Sequence, residues 1–296
     1  LDKGKELDWF ASTQIIVLGL VALIGFAFFV IWELNEEHPV VDLRLFARRN
    51  FWVGTLVLAL GYGVMFGNIV LLPLWLQQYM GYTATWAGII MAPVGVLAIV
   101  LSPYVGNSMH KVDLRLYATI AFVTFAIVLW MRAGFNTSAD LETLLIPTFV
   151  QGIAMAFFFV PLVAITLSGL RPESIPSASG LSNFARITAG AFGTSIITTL
   201  WEDRAAEHHA HLTEAITDAS IATTQALSTL DKLGMTRDQS LSHINHLIEQ
   251  QAFMLSANDI FAASAALFLL LAGLVWLARR GDAQAAGAPG GAGGAH

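Results

Sequence analysis

Apolar residues run in blocks of bilayer-crossing length, separated by short polar stretches, at 13–33, 51–76, 85–106, 115–134, 142–168, 178–200 and 258–278. A helix needs about 20 predominantly apolar residues to cross the hydrocarbon core, at 1.5 Å rise per residue. The pattern therefore predicts seven transmembrane helices and an all-α polytopic membrane protein. An odd number of spans puts the two ends on opposite sides. Arg44, Arg48, Arg49, Lys111, Arg115, Arg171, Arg279 and Arg280 all fall in connections on one side. The other side has Lys3, Lys5 and Arg132 near its span ends. The excess of Lys and Arg marks the first side as cytoplasmic, which places the C-terminus inside.

One block differs in kind. In Ser177–Leu200, 15 of 24 residues are Gly, Ala, Ser or Thr, and the segment carries Asn183 and Arg186. Small residues let helix backbones approach closely. A charge at membrane depth is costly unless it meets a partner or water. At about 100° per residue, Arg186 shares a face with Ser182, Asn183, Ala189, Gly190 and Gly193, opposite Leu181, Phe184, Phe192 and Ile196. This predicts a helix whose small, polar face lines a pathway, with Arg186 as the only charge set deep within a span. Asn68 in the second block and Gln151 beside Phe157–Phe159 in the fifth are either further pathway groups or interhelical hydrogen bonds. Phe158 is a candidate for the same cavity. Pro73, Pro93 and Pro161 are candidate gating or kink points, since each removes a backbone hydrogen bond.

Residues 201–257 form the one sizeable polar insertion, read as two helices of a hairpin on the outer side. His208, His209 and His211 within it read as a solvated helix face; no metal ligand set is assigned. Residues 281–296 are Gly/Ala-rich and are expected to be a disordered cytoplasmic tail.

The chain has 296 residues, is 56% hydrophobic and carries 12% charged residues. Mean hydropathy is +0.66. Soluble domains carry about 25% charged residues, so composition agrees with the membrane reading. No basic tract points to nucleic acid, no nucleotide motif is present, and with no Cys there is no thiol or cysteine metal chemistry. No cofactor and no enzymatic activity are expected. The span interiors hold no carboxylate, although a proton-driven carrier needs a titratable acid in the membrane. The opening LDKGKELDWF reads as the middle of a longer chain. These two points together predict an N-terminal membrane half carrying that acid.

Several stretches resemble the major facilitator superfamily, in its fourteen-span drug:proton antiporter group of the EmrB/QacA type. They are Leu1-Asp2-x-Gly4 with Asp8-Trp9-Phe10, His38-Pro39-x-x-Asp42-x-Arg44 with Arg49-Asn50-Phe51, and Leu72-Pro73 with Gln77. Gly81-Tyr82 to Gly88, Pro93-Val-Gly95, Gln151-Gly152 with Pro161, and Ser182-Asn183-Phe184-x-Arg186 with Gly190 and Gly193 complete the set. The resemblance implies one extra linker helix with its cytoplasmic connection in 1–50. It implies a C-terminal six-helix bundle over 51–200 and 258–280. It further implies export of hydrophobic drugs in exchange for protons by alternating access, in a bacterial inner membrane. The 201–257 hairpin would be periplasmic, and a periplasmic adaptor and an outer-membrane channel would be partners. The rival readings are a non-transporting membrane scaffold or sensor and a carrier for a metabolite anion.

Overall fold

The computed structural model describes residues 12–36, 42–109, 111–214, 216 and 220–280. The 281–296 tail and the Leu1–Phe10 and His38–Pro39 motifs lie outside them. Eight α-helices are described: α1 (Thr13–Asn35), α2 (Arg49–Gln78), α3 (Ala84–Ser108), α4 (Leu114–Arg132), α5 (Leu141–Leu167), α6 (Ile175–Glu214), α7 (Ile221–Lys232) and α8 (Arg237–Leu274). A 3-10 turn, Leu43–Ala47, precedes α2. Side chains start several of them: Thr83, Asp113 and Asp140 accept from first-turn amides, and Thr236 with Gln239 forms a capping box.

Six helices are long and apolar enough to cross a membrane, and α6 is not among them. The sixth expected span, 178–200, is thus too rich in small and polar residues to qualify by composition. It packs lengthwise against α2 and α8 on one side, and leaves Phe184, Ile187, Phe192 and Ile196 exposed on the other. The outer insertion also differs from a plain hairpin. α6 and α8 each run without a break from the bundle into the insertion. At 40 and 38 residues they are about 60 Å long, roughly twice the hydrocarbon thickness. The Thr/Ser-rich middle between them holds a third helix, α7.

α4 packs on α5 and α8. Its Phe122 and Phe125 meet Phe158 of α5 edge-on and Phe268 of α8, all fully or almost fully buried. Such pairs add about 0.5–1.5 kcal/mol each beyond the area they bury. α3 packs on α5 at Gly152, where a Cβ would come within 2.9 Å of the Val94 carbonyl. α1 stands apart: Leu18, Val21, Leu23, Ile24 and Phe26 are all exposed.

Two latches close the ends of the bundle. At the basic end, the Asp113 carboxylate binds Arg115 at 2.8 Å and Arg280 at 3.5 Å. The Arg115 hydrogen bond holds the Asp113 carboxyl below its usual range. At the opposite end, Tyr79 stacks on Phe253 with Trp201 edge-on, tying α2, α6 and α8. Burial, reinforced by Glu249 and Glu202, pushes the Tyr79 phenol up to about 12.

Candidate functional site

α6 presents its small residues to α2, and the contact is backbone to backbone. A Cβ on Gly63 would lie 2.6 Å from the Ala189 carbonyl, and one on Gly193 would overlap the Gly63 backbone. Gly67 faces the Gly193 carbonyl at 2.9 Å. Glycines four apart on α2 thus receive a small-residue ridge four apart on α6, the spacing that lets membrane helices touch. Gly190 belongs to this ridge; it is buried, with the Tyr62 ring 2.7 Å from where its Cβ would stand. The expected small, polar lining face is therefore a packing face. The open side of α6 carries Phe184, Ile187, Phe192 and Ile196, each 46–66% exposed.

Arg186 stands at the seam between the packed and open sides. Its guanidinium lies 4.9 Å from the Tyr62 ring centre on α2 and 5.5 Å from that of Phe159 on α5. It donates to Asn183 Oδ1 at 2.6 Å, and Asn183 is exposed. Phe66 stacks on Tyr62 with centroids 5.4 Å apart, and Phe159 meets Tyr62 edge-on. No carboxylate among the described residues pairs with Arg186. Ring faces carry partial negative charge, and each cation–π contact is worth about 0.5–2 kcal/mol. They hold the charge without neutralising it. The arrangement is an aromatic wall with one fixed cation and one amide, open on one side.

The structure brings Asn183, Arg186 and Gly190 together and leaves the other predicted positions elsewhere. Phe158 is fully buried in the α4–α5–α8 core, because the run Phe157–Phe159 fans around α5. Phe157 meets Tyr117, Phe158 turns inward, and Phe159 reaches the Arg186 wall. Asn68 is 2% exposed; its Nδ2 donates to the Val64 carbonyl at 2.7 Å and to Ser264 Oγ of α8 at 3.0 Å. It is an interhelical hydrogen bond. Pro73, Pro93 and Pro161 lie inside continuous helices.

Gln151 is 2% exposed and accepts a 2.6 Å hydrogen bond from Arg132. Arg132 was expected at a span end on the outer side; it is instead fully buried, and its Nε and Nη1 have no hydrogen-bond partner among the described residues. Arg186 is thus not the only charge deep within the bundle. Sequence position pointed away from Arg132, because the polar residues that follow it look like a loop. The residues missed at the open site are Tyr62, Phe66 and Phe159. A signal for the first two is their four-residue spacing, which stacks rings on one helix face.

The family model of the Major Facilitator Superfamily matches residues 7–194. The chain is 48% identical over 297 residues to the Multidrug export protein EmrB of Escherichia coli (strain K12), covering 100% of this chain and 57% of that protein. It is 45% identical over 279 residues to the Fatty acid resistance protein FarB of Neisseria gonorrhoeae, covering 94% of this chain and 55% of that protein. The Colistin resistance protein EmrB of Acinetobacter baumannii is 22% identical over 286 residues, with 95% and 56% covered. The chain spans just over half the length of these curated relatives. With its multi-pass helical bundle and these matches in view, the chain belongs to the Major Facilitator Superfamily, in its EmrB/QacA-type group.

Proposed function

We propose that this chain is the C-terminal membrane half of a proton-coupled exporter of hydrophobic compounds, working by alternating access across a bacterial inner membrane. The observation that carries the reading is the Arg186 wall. A cation held by Tyr62 and Phe159, beside exposed Asn183 and Phe184, suits molecules with an aromatic or apolar body and a polar group. The names of the relatives, multidrug export and fatty acid resistance, describe cargo of that kind. The ring-lined wall favours such cargo over a small metabolite anion, which needs several fixed donors. A scaffold or sensor has no use for an intramembrane cation facing an open side.

No carboxylate among the described residues pairs with Arg186, so the coupled proton is not assigned to this wall. The proton-loading acid is assigned to an N-terminal membrane half. The protruding ends of α6 and α8, with α7, are the candidate contact for a periplasmic adaptor that leads to an outer-membrane channel. The basic end of the bundle, with the C-terminus, faces the cytoplasm, and the protein needs no cofactor and makes no bond change.

The test is Arg186→Ala and Arg186→Lys in the intact protein, with membrane abundance measured alongside. The alanine variant should lose drug resistance, by about a hundredfold in efflux rate if the lost interaction is worth near 3 kcal/mol. The lysine variant should retain part of it. Full resistance in the alanine variant contradicts the reading.

A further inference from the structure

A second site lies at the basic end of the bundle, away from the Arg186 wall. A cavity of about 260 Å³ opens between the 3-10 turn Leu43–Ala47 and the bend that joins α5 to α6. Arg44 and Arg48 line it from one side, Arg171 and Ser174 from the other. Gly169 makes this shape possible: its φ of +74° turns the chain back sharply after α5 ends at Leu167. Asp42 also lines the cavity, but its carboxylate is committed to capping the turn at the Arg44 amide. Its own amide donates to Ser177 Oγ at 3.2 Å, which fastens the turn to the first residues of α6.

Arg48 and Arg171 against the one lining carboxylate, Asp42, leave the lining net positive. Neither Arg48 nor Arg171 has an ion-pair partner among the described residues. α6 begins at Ile175, next to lining residue Ser174, and the amides of its first turn add partial positive charge. Leu45 and Leu170 also line the cavity, and both belong to a small apolar cluster with Phe51, Ala178, Leu167 and Leu181. Phe46, on the same turn, is 40% exposed. An arginine rim over an apolar floor, where the spans α2 and α5 end, has two chemistries side by side. One recognises a phosphate diester; the other accepts the glycerol and upper acyl region attached to it.

We infer that the cavity between residues 42–48 and 169–174 binds the phosphate of an anionic phospholipid headgroup, with Arg48 and Arg171 as its principal ligands. Bound lipid would pin the connection before α2 to the start of α6, two of the three helices that carry the Arg186 wall. Free inorganic phosphate offers the same anion without the apolar part, so the two sources separate experimentally.

The intact protein in uncharged detergent is titrated with phosphatidylglycerol, phosphatidylcholine and inorganic phosphate, and binding is read by native mass spectrometry. Arg48→Ala with Arg171→Ala should weaken phosphatidylglycerol binding about thirty-fold, the effect of two arginines at an anionic lipid surface. Lys111→Ala with Arg279→Ala removes the same charge elsewhere at this end and should change it less than about twofold on the same scale. Arg48→Gln with Arg171→Gln removes both charges but keeps polar side chains, and is run in parallel; it should lose binding to the same degree, so that a folding defect of the alanine pair is not mistaken for lost binding. Equal losses in both charge-matched pairs, or no loss in the first, would overturn the site. Phosphate binding as tightly as phosphatidylglycerol would overturn the lipid as its occupant.

Discussion

At the scale of single residues, the two intramembrane arginines behave in opposite ways. Arg186 is half-buried, held by ring faces and turned to an open side. Arg132 is fully enclosed with Gln151 as its one side-chain partner. A buried charge that loses its partner is destabilised far more than a pair replaced together by apolar groups. Gln151→Leu should therefore cost about 2–3 kcal/mol. Arg132→Met combined with Gln151→Leu should recover most of that loss, and thermal unfolding in detergent reads both. A double variant as unstable as the sum of the single ones would show that the pair acts independently. This contrast was only half legible in the sequence. Arg186 announced itself because it interrupts a block of small residues. Arg132 did not, since it ends its block and precedes Asn136-Thr-Ser, so only the packing of α4 on α5 reveals that it faces inward.

At the scale of elements, the α2–α6 contact decides where the wall stands. Gly63 and Gly67 on one helix and Ala189 and Gly193 on the other bring the backbones together, and Tyr62 is pressed over Gly190 beneath Arg186. Gly63→Ala drives a methyl into the Ala189 carbonyl and should destabilise by about 1–3 kcal/mol, as overpacking does. Gly180→Ala, on the same α6 but with open space around it, should leave stability unchanged or raise it by about 0.5–1 kcal/mol. Melting temperatures of the two variants check the difference in sign. The helical wheel of α6 separated a small-residue face from an apolar one correctly. It could not say which face meets protein, because that depends on glycines on α2 that lie more than 100 residues away. The mean apolarity of a segment had the same limit: α6 falls short as a span by composition, yet it is packed in the bundle along α2 and α8.

At the scale of the whole molecule, the open surfaces fall into three kinds. α1 is apolar on every side and meets the rest at little more than its end. The exposed side of α6 joins Phe184, Ile187, Phe192 and Ile196 to Asn183 and the Arg186 wall. The outer projection of α6, α7 and α8 is polar, with Asp259 binding both Arg204 and His208. The order of apolar blocks predicts α1 to α5 and the bundle parts of α6 and α8. The run of α6 past Leu200 into water was legible in residues 201–212, but the unbroken length of α8 was not, because a change from polar to apolar residues marks the water boundary and not the start of a helix. A pathway at the Arg186 wall requires that the α6 side near Arg186 border the path of an exported compound and that the α4–α5–α8 core not do so.

The chain has no Cys, so single cysteines can be placed at will. The decisive measurement is thiol labelling of the intact protein, in an otherwise cysteine-free background, with Asn183→Cys compared against Gln151→Cys. A small water-soluble maleimide should label position 183, and an exported hydrophobic compound should slow that labelling, while position 151 stays unreactive. An unreactive position 183, or labelling there that no exported compound slows, would contradict a pathway along this face of α6.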